Sequence, residues 1–183
     1  MGVIMMTSSI FDANQLNNVN QAVAIAEELV SNHYKMSANQ WLRPRFDIKT
    51  LSHLSPGEVV EGPFAQIIRY EGKRKGSPLG SDSYDFYKIC LQDHAILRAL
   101  SQKPGIILLP FLVYIITHEL IHIVRFSKFL QNFEASPEEK QVEERRVHDL
   151  THQILTTIRL DGLGAVLDYF EVWRQSIETT REP

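Results

Sequence analysis

The chain has 183 residues, which suits one domain and is long enough to bury a sizeable hydrophobic core. Its formal net charge is −3, with 22% charged and 44% hydrophobic residues, so overall basicity does not favour nucleic-acid binding. Cys90 is the only cysteine, which excludes an intrachain disulfide and a zinc site built from several thiolates. Any metal ion would therefore have to bind to His, Asp or Glu side chains.

The first half of the sequence predicts one helix followed by a β-hairpin. Apolar residues recur at helical spacing through residues 14–35, where we expect the first helix. Residues 64–92 predict a hairpin, because the stretches 64–70 and 86–92 are rich in aromatic and β-branched residues. In the second stretch, apolar residues alternate with polar ones, as in a half-buried strand.

The next predicted helix, over residues 109–130, begins in the most apolar part of the sequence. Pro110 is compatible with a helix only in its first turn. The apolar stretch contains this proline and is followed by His and Glu, so it falls short of the ~18 apolar residues that a membrane span needs. The N-terminus also lacks the basic and apolar regions of a signal peptide. We therefore expect a buried helix in a cytoplasmic protein.

Two further helices are predicted near the end of the chain, over residues 137–160 and 165–179. Ser136 is expected to cap the first of them, with proline at the first helical position and Glu139 closing a capping box. Gly162 is the expected C-terminal cap. The order of elements predicts a mainly helical α+β fold with a small antiparallel sheet.

The 109–130 helix carries an HExxH motif, formed by His118, Glu119 and His122. Two histidines four residues apart project from one face of a helix and can share a metal ion. Glu119 lies beside that pair, where it can take a proton from a water on the metal. Because the motif extends a nearly unbroken apolar helix, its ionisable groups would be costly to bury without a function. The motif predicts a zinc-dependent hydrolase with one Zn²⁺ per chain.

A catalytic zinc site needs a third protein ligand, and the 137–160 helix offers several candidates. Projection of its apolar stripe at ~100° per residue centres the stripe close to Val147, with Glu144 and Glu143 on opposite flanks. A carboxylate on an apolar face is costly to bury unless a cation compensates its charge. Glu144 is the predicted third ligand and Glu143 the reserve. His148 is a further candidate, as a ligand or as a hydrogen-bond partner of one.

HExxH followed by a glutamate in the next helix resembles the gluzincin metallopeptidases. The residues from position 144, Glu-Arg-Arg-Val-His-Asp-Leu-Thr, resemble the Glu-x-x-Ala-Asn-x-Phe-Ala segment of the small ImmA/IrrE-type members. The resemblance implies a single zincin-like domain over residues 1–183, with His118, His122 and Glu144 as zinc ligands and Glu119 as the base. It also implies a peptide or protein substrate that pairs with an edge strand over the site, for which we expect residues 86–92.

Two other classes of protein remain open. The spacing Glu-x-x-His, used twice in four-helix di-iron proteins, is matched at Glu119-x-x-His122 and approximately at Asp149-x-x-His152. A carboxylate-bridged di-iron protein is therefore an alternative, and it requires Asp149 to face inward. The other alternative is a catalytically inactive zincin-fold protein that acts as a binding module.

Overall fold

The computed structural model describes residues 9–37, 40, 46–73, 76, 83–128 and 130–175. The fold is α+β and mainly helical, as the sequence predicts. In chain order, the described helices and strands are α1 (Ala13–Tyr34), β1 (Phe46–Lys49), β2 (Ala65–Lys73), β3 (Ser83–Leu91), α2 (Asp93–Gln102), α3 (Leu108–Ser127), α4 (Pro137–Leu155) and α5 (Leu163–Gln175). They group into two compact units: α1 from Asn18 onward joins α3, α4 and α5, and the remaining elements form the other unit.

The first unit is built on a three-stranded sheet with the order β1-β3-β2. β2 and β3 pair antiparallel along their whole length, from Ala65 opposite Leu91 to Lys73 opposite Ser83. This is the hairpin that the aromatic and β-branched stretches predict, although residues 77–82 of its tip lie outside the described part. β1 pairs with β3 in parallel, so the sheet is mixed rather than wholly antiparallel.

β3 is the central strand of this sheet. Its residues 87–90 pair with β1 on one side and with β2 on the other. Addition of a substrate strand needs an edge with unpaired backbone groups. The expectation that residues 86–92 accept an extended substrate is therefore wrong, because β1, which the sequence pattern does not predict, already occupies that edge.

A partly buried ion pair joins the chain before β2 to the central strand. Lys88 Nζ lies 2.8 and 2.9 Å from the two carboxylate oxygens of Glu58. Glu58 also accepts hydrogen bonds from the Ser55 backbone N–H and the Tyr70 hydroxyl. The hydrogen bond from Lys88, and after it those from Ser55 and Tyr70, lower the pKa of Glu58 to about 2. The carboxylate therefore stabilises the fold only while it is ionised.

We expect Glu58→Gln to destabilise the protein at neutral pH and to lose this effect in acid. The pKa of Glu58 in the folded protein lies below the ordinary value of ~4.3, so its stabilisation is present above that value and disappears as the pH falls towards about 2. Urea unfolding of both proteins between about pH 3 and pH 7 measures the difference. Glu71→Gln, at an exposed position of β2, is the matched control. A difference that is the same at every pH would contradict this account.

In the second unit, α3 is the central helix. Every residue from Pro110 to His118 and from Leu120 to Arg125 is buried, and Pro110 lies in the first turn, where a helix tolerates it. Among the described helices, α3 alone has the length and hydropathy of a membrane span, but 83% of that stretch is buried within the structure. The burial is consistent with a soluble protein.

α4 begins as its sequence predicts and ends earlier. Ser136 Oγ accepts a hydrogen bond from the Glu139 backbone N–H, and the Glu139 carboxylate accepts one from the Ser136 N–H, which confirms the capping box. The helix stops at Leu155 rather than near residue 160, because the backbone N–H groups of Thr157 and Ile158 bond to carbonyls three residues back and the chain leaves the α-helical pattern. Gly162 has φ +81° but precedes α5 instead of capping α4. Residues 176–179 of the predicted last helix lie outside the described part.

Candidate metal centre

His118 and His122 lie one turn apart on α3 and face Glu144 on α4. His118 Nε2 lies 2.8 Å from Glu144 Oε1, and His122 Nε2 lies 3.0 Å from Glu144 Oε2. The two Nε2 atoms are 3.1 Å apart. Both histidine side chains are buried, whereas that of Glu144 is 50% exposed. The structure thus brings together the three side chains that the sequence predicts as metal ligands and leaves one side of the cluster accessible to solvent.

The two histidine rings are held in place in different ways. His122 Nδ1 lies 3.0 Å from Gln131 Oε1, in the connection between α3 and α4. His118 Nδ1 has no hydrogen-bond partner among the described residues. Its ring instead packs against the rings of Tyr114 and His148, with centroids 6.4 and 4.2 Å away. Gln131 gives no sequence signal, because it lies in a connection rather than at a fixed motif spacing.

The arrangement of these groups fits a divalent cation. If His122 donates its Nδ1 proton to Gln131, the lone pair of its Nε2 points towards Glu144 and His118. Facing lone pairs and a carboxylate repel one another unless a proton or a cation lies between them. Neighbouring ligand atoms around tetrahedral zinc, with bonds of ~2.0–2.1 Å, lie ~3.3 Å apart. The observed separations are only slightly shorter, and two imidazoles with one carboxylate form a common zinc donor set.

Glu119, next to His118 on α3, lies within the electric field of this cluster. Burial raises the pKa of its carboxyl, whereas the charges of His118 and His122 act in the opposite direction. Desolvation opposes ionisation of Glu144 as well, but its hydrogen bonds with the two histidines outweigh that effect and lower its pKa. Glu144 therefore stays ionised as the negative member of the cluster, with Glu119 as a second carboxyl close by.

Glu143, the reserve ligand, has other partners. It is buried, and its Oε1 accepts a hydrogen bond from Arg125 Nε. Its Oε2 lies 3.0 Å from a terminal nitrogen of Arg146. Arg125 is itself only 8% exposed and also donates to the Leu130 carbonyl. Because two guanidinium groups occupy both oxygens of Glu143, this carboxylate does not contact the histidines.

His148 lies one turn after Glu144 on α4 and is buried. Its Nε2 is 3.5 Å from Glu144 Oε1, and its Nδ1 is 2.8 Å from the Tyr114 hydroxyl. Burial, followed by the neighbouring charge of His118, lowers the pKa of His148 to about 3. The ring stacks against Phe170 and Trp173 of α5, with centroids 5.9 and 6.2 Å away. His148 is therefore a neutral, firmly packed imidazole at the border of the cluster.

Asp149 and His152, which the di-iron alternative requires, do not meet these groups. Asp149 is exposed, and the buried Nδ1 of His152 has no hydrogen-bond partner among the described residues. The inward-facing Asp149 that a second Glu-x-x-His-like site needs is not observed.

A groove of about 450 Å³ lies between the α3–α4 connection and the first half of α4. Gln131, whose side chain contacts His122, is one of its lining residues, whereas His118, Glu119, His122 and Glu144 do not line it. Its other lining residues include both apolar and charged side chains, among them Leu130, Ala135, Val142, Glu138, Lys140 and Arg146.

Comparisons with protein-family models, with curated proteins and with solved structures found no match to this chain. The resemblance to ImmA/IrrE-type domains therefore remains a prediction from the sequence.

Proposed function

We propose that the protein is a zinc-dependent hydrolase that acts on peptides or proteins. The observation that supports this best is the meeting of His118, His122 and Glu144 beside Glu119. These are the donors and the carboxylate that an HExxH site with a glutamate third ligand requires. The half-exposed Glu144 side chain leaves the cluster open to solvent, and Gln131 connects His122 to the nearby groove.

Each residue of the cluster has a separate role in this proposal. His118, His122 and Glu144 would hold one Zn²⁺, which when bound would supply a Lewis acid that polarises a carbonyl and makes water more acidic. Glu119 takes the proton of the attacking water and passes it to the leaving amine. Gln131 keeps the His122 ring in the orientation that directs its Nε2 towards the other donors.

The groove is the proposed position of the substrate chain. Its open shape can accommodate an extended peptide, and its apolar residues can contact substrate side chains on either side of the cleaved bond. We also propose a cytoplasmic location, because the single cysteine, Cys90, is a free and buried thiol.

Removal and restoration of the metal test this proposal. We expect zinc-loaded protein to cleave members of a panel of quenched fluorescent peptides, to lose this activity on treatment with 1,10-phenanthroline, and to regain it with one equivalent of Zn²⁺ but not with Mg²⁺. Peptide cleavage that persists after complete removal of metal would contradict the proposal.

We expect Gln131→Ala to weaken zinc binding by about 10- to 100-fold, the usual cost of losing a hydrogen-bond partner of a metal-bound histidine. The physical reason is that His122 Nδ1 would lose the partner that fixes its ring. Competition with a chromophoric chelator measures the zinc affinity. Gln153→Ala, at an exposed position of α4, is the matched control. Equal affinity of Gln131→Ala and wild type would exclude this role of Gln131.

A further inference from the structure

A third imidazole approaches the carboxylate that faces the motif histidines. Glu144 Oε1 lies 2.8 Å from His118 Nε2 and 3.5 Å from His148 Nε2. His118, Glu144 and His148 each place one potential ligand atom within 4.8 Å of those of the other two. With His122 beside Glu144 Oε2, the Nε2 atoms of three histidines therefore surround one carboxylate. Two possible ligand sets, one with His122 and one with His148, share His118 and Glu144.

On the side of the ring away from Glu144, His148 has the hydrogen-bond partner that a metal-bound histidine usually has. A metal-bound histidine usually donates its second ring N–H to an oxygen. The Tyr114 oxygen, 2.8 Å from His148 Nδ1 and buried, is placed to accept that proton. This leaves the lone pair of Nε2 directed to the side of Glu144. Stacking against Phe170 and Trp173 restricts rotation of the ring away from this position.

We propose that His148 is a fourth protein ligand, so that the metal centre consists of three imidazoles and one carboxylate. The proposal rests on the zinc site described above and adds a donor that the HExxH motif with its glutamate does not include. Imidazole nitrogen and carboxylate oxygen are both ordinary zinc donors. Zinc can also expand from four to five ligands, so a fourth protein donor is compatible with hydrolysis.

X-ray absorption at the zinc edge tests this proposal, because scattering from imidazole rings gives the number of bound histidines. We expect three imidazoles in the zinc-loaded wild-type chain and two in His148→Phe, which keeps an aromatic ring for stacking. His148→Asn, with a smaller polar side chain, should also show two. His152→Ala, one turn further along α4, is the matched control and should keep three.

Two imidazoles in the wild-type protein, with the same number in His148→Phe, would overturn the fourth ligand and leave the three-ligand zinc site intact. A wild-type chain that binds no zinc would overturn both proposals. The wild-type count decides the matter even if a His148 variant does not fold. In folded variants we also expect the zinc dissociation constant to rise at least about tenfold.

Discussion

Glu119→Gln is expected to abolish hydrolysis and to leave zinc bound. The amide has nearly the volume of the carboxylate but cannot take a proton from water at neutral pH. A positioned general base typically contributes 10²- to 10⁴-fold to a rate, so kcat/KM should fall by at least about 100-fold. Because the proposed ligands are unchanged, zinc content should remain at one ion per chain. Steady-state kinetics with the best peptide of the panel, together with elemental analysis, measures both quantities.

A matched control separates the role of Glu119 from a general effect of losing a carboxylate. Glu28→Gln makes the same change at an exposed position of α1, away from the groove and the cluster, and we expect wild-type activity from it. Equal activity of Glu119→Gln and wild type would rule out Glu119 as the base. Loss of zinc together with activity would show that Glu119 is needed for zinc binding, and would not support its role as the general base.

His118→Ala and His122→Ala are each expected to lose stoichiometric zinc. Removal of either imidazole takes away a donor atom that lies about 3 Å from both other donors of the predicted set. The affinity should fall by more than the roughly 10- to 100-fold that loss of a hydrogen-bond partner of a ligand costs. Elemental analysis after dialysis should give close to one zinc per chain for wild type and close to none for either variant.

Thermal unfolding provides a second measurement on the same proteins. Added zinc stabilises a protein that binds it in the folded state, so the wild-type Tm should rise while those of the two variants should not. His53→Ala, at an exposed position, serves as the control and should behave as wild type. Retention of one zinc ion by both His118→Ala and His122→Ala would place the metal elsewhere.

The elements that the sequence predicts are those whose signal is local. The capping box at Ser136 and the apolar run of α3 depend on neighbouring residues alone. α2 begins at Asp93, a fully buried carboxylate that accepts hydrogen bonds from the backbone N–H groups of Phe11 and Leu51. Those partners lie far away in sequence, so no local pattern identifies the start of this helix. β1 has four residues, Phe46–Lys49, and although apolar and polar side chains alternate along it, this is the shortest alternation that can indicate a strand.

In the candidate site, too, local sequence patterns predict some features and contacts between distant residues determine the others. The HExxH spacing places His118 and His122 on one face of a helix, and this follows from helical geometry alone. Helical geometry alone does not decide whether Glu143 or Glu144 is the third ligand, because both flank the apolar stripe of α4 at similar angles. In the folded chain Arg125 of α3 pairs with Glu143, whereas Glu144 contacts the histidines. Only the packing of α3 against α4 brings these groups together.

Anomalous diffraction at the zinc absorption edge, on crystals of the zinc-loaded chain, tests the metal site most directly. We expect one strong peak per chain, bonded at ~2.0–2.2 Å to the Nε2 atoms of His118 and His122 and to a carboxylate oxygen of Glu144. A peak away from these three side chains, or no peak where they meet, would contradict the account.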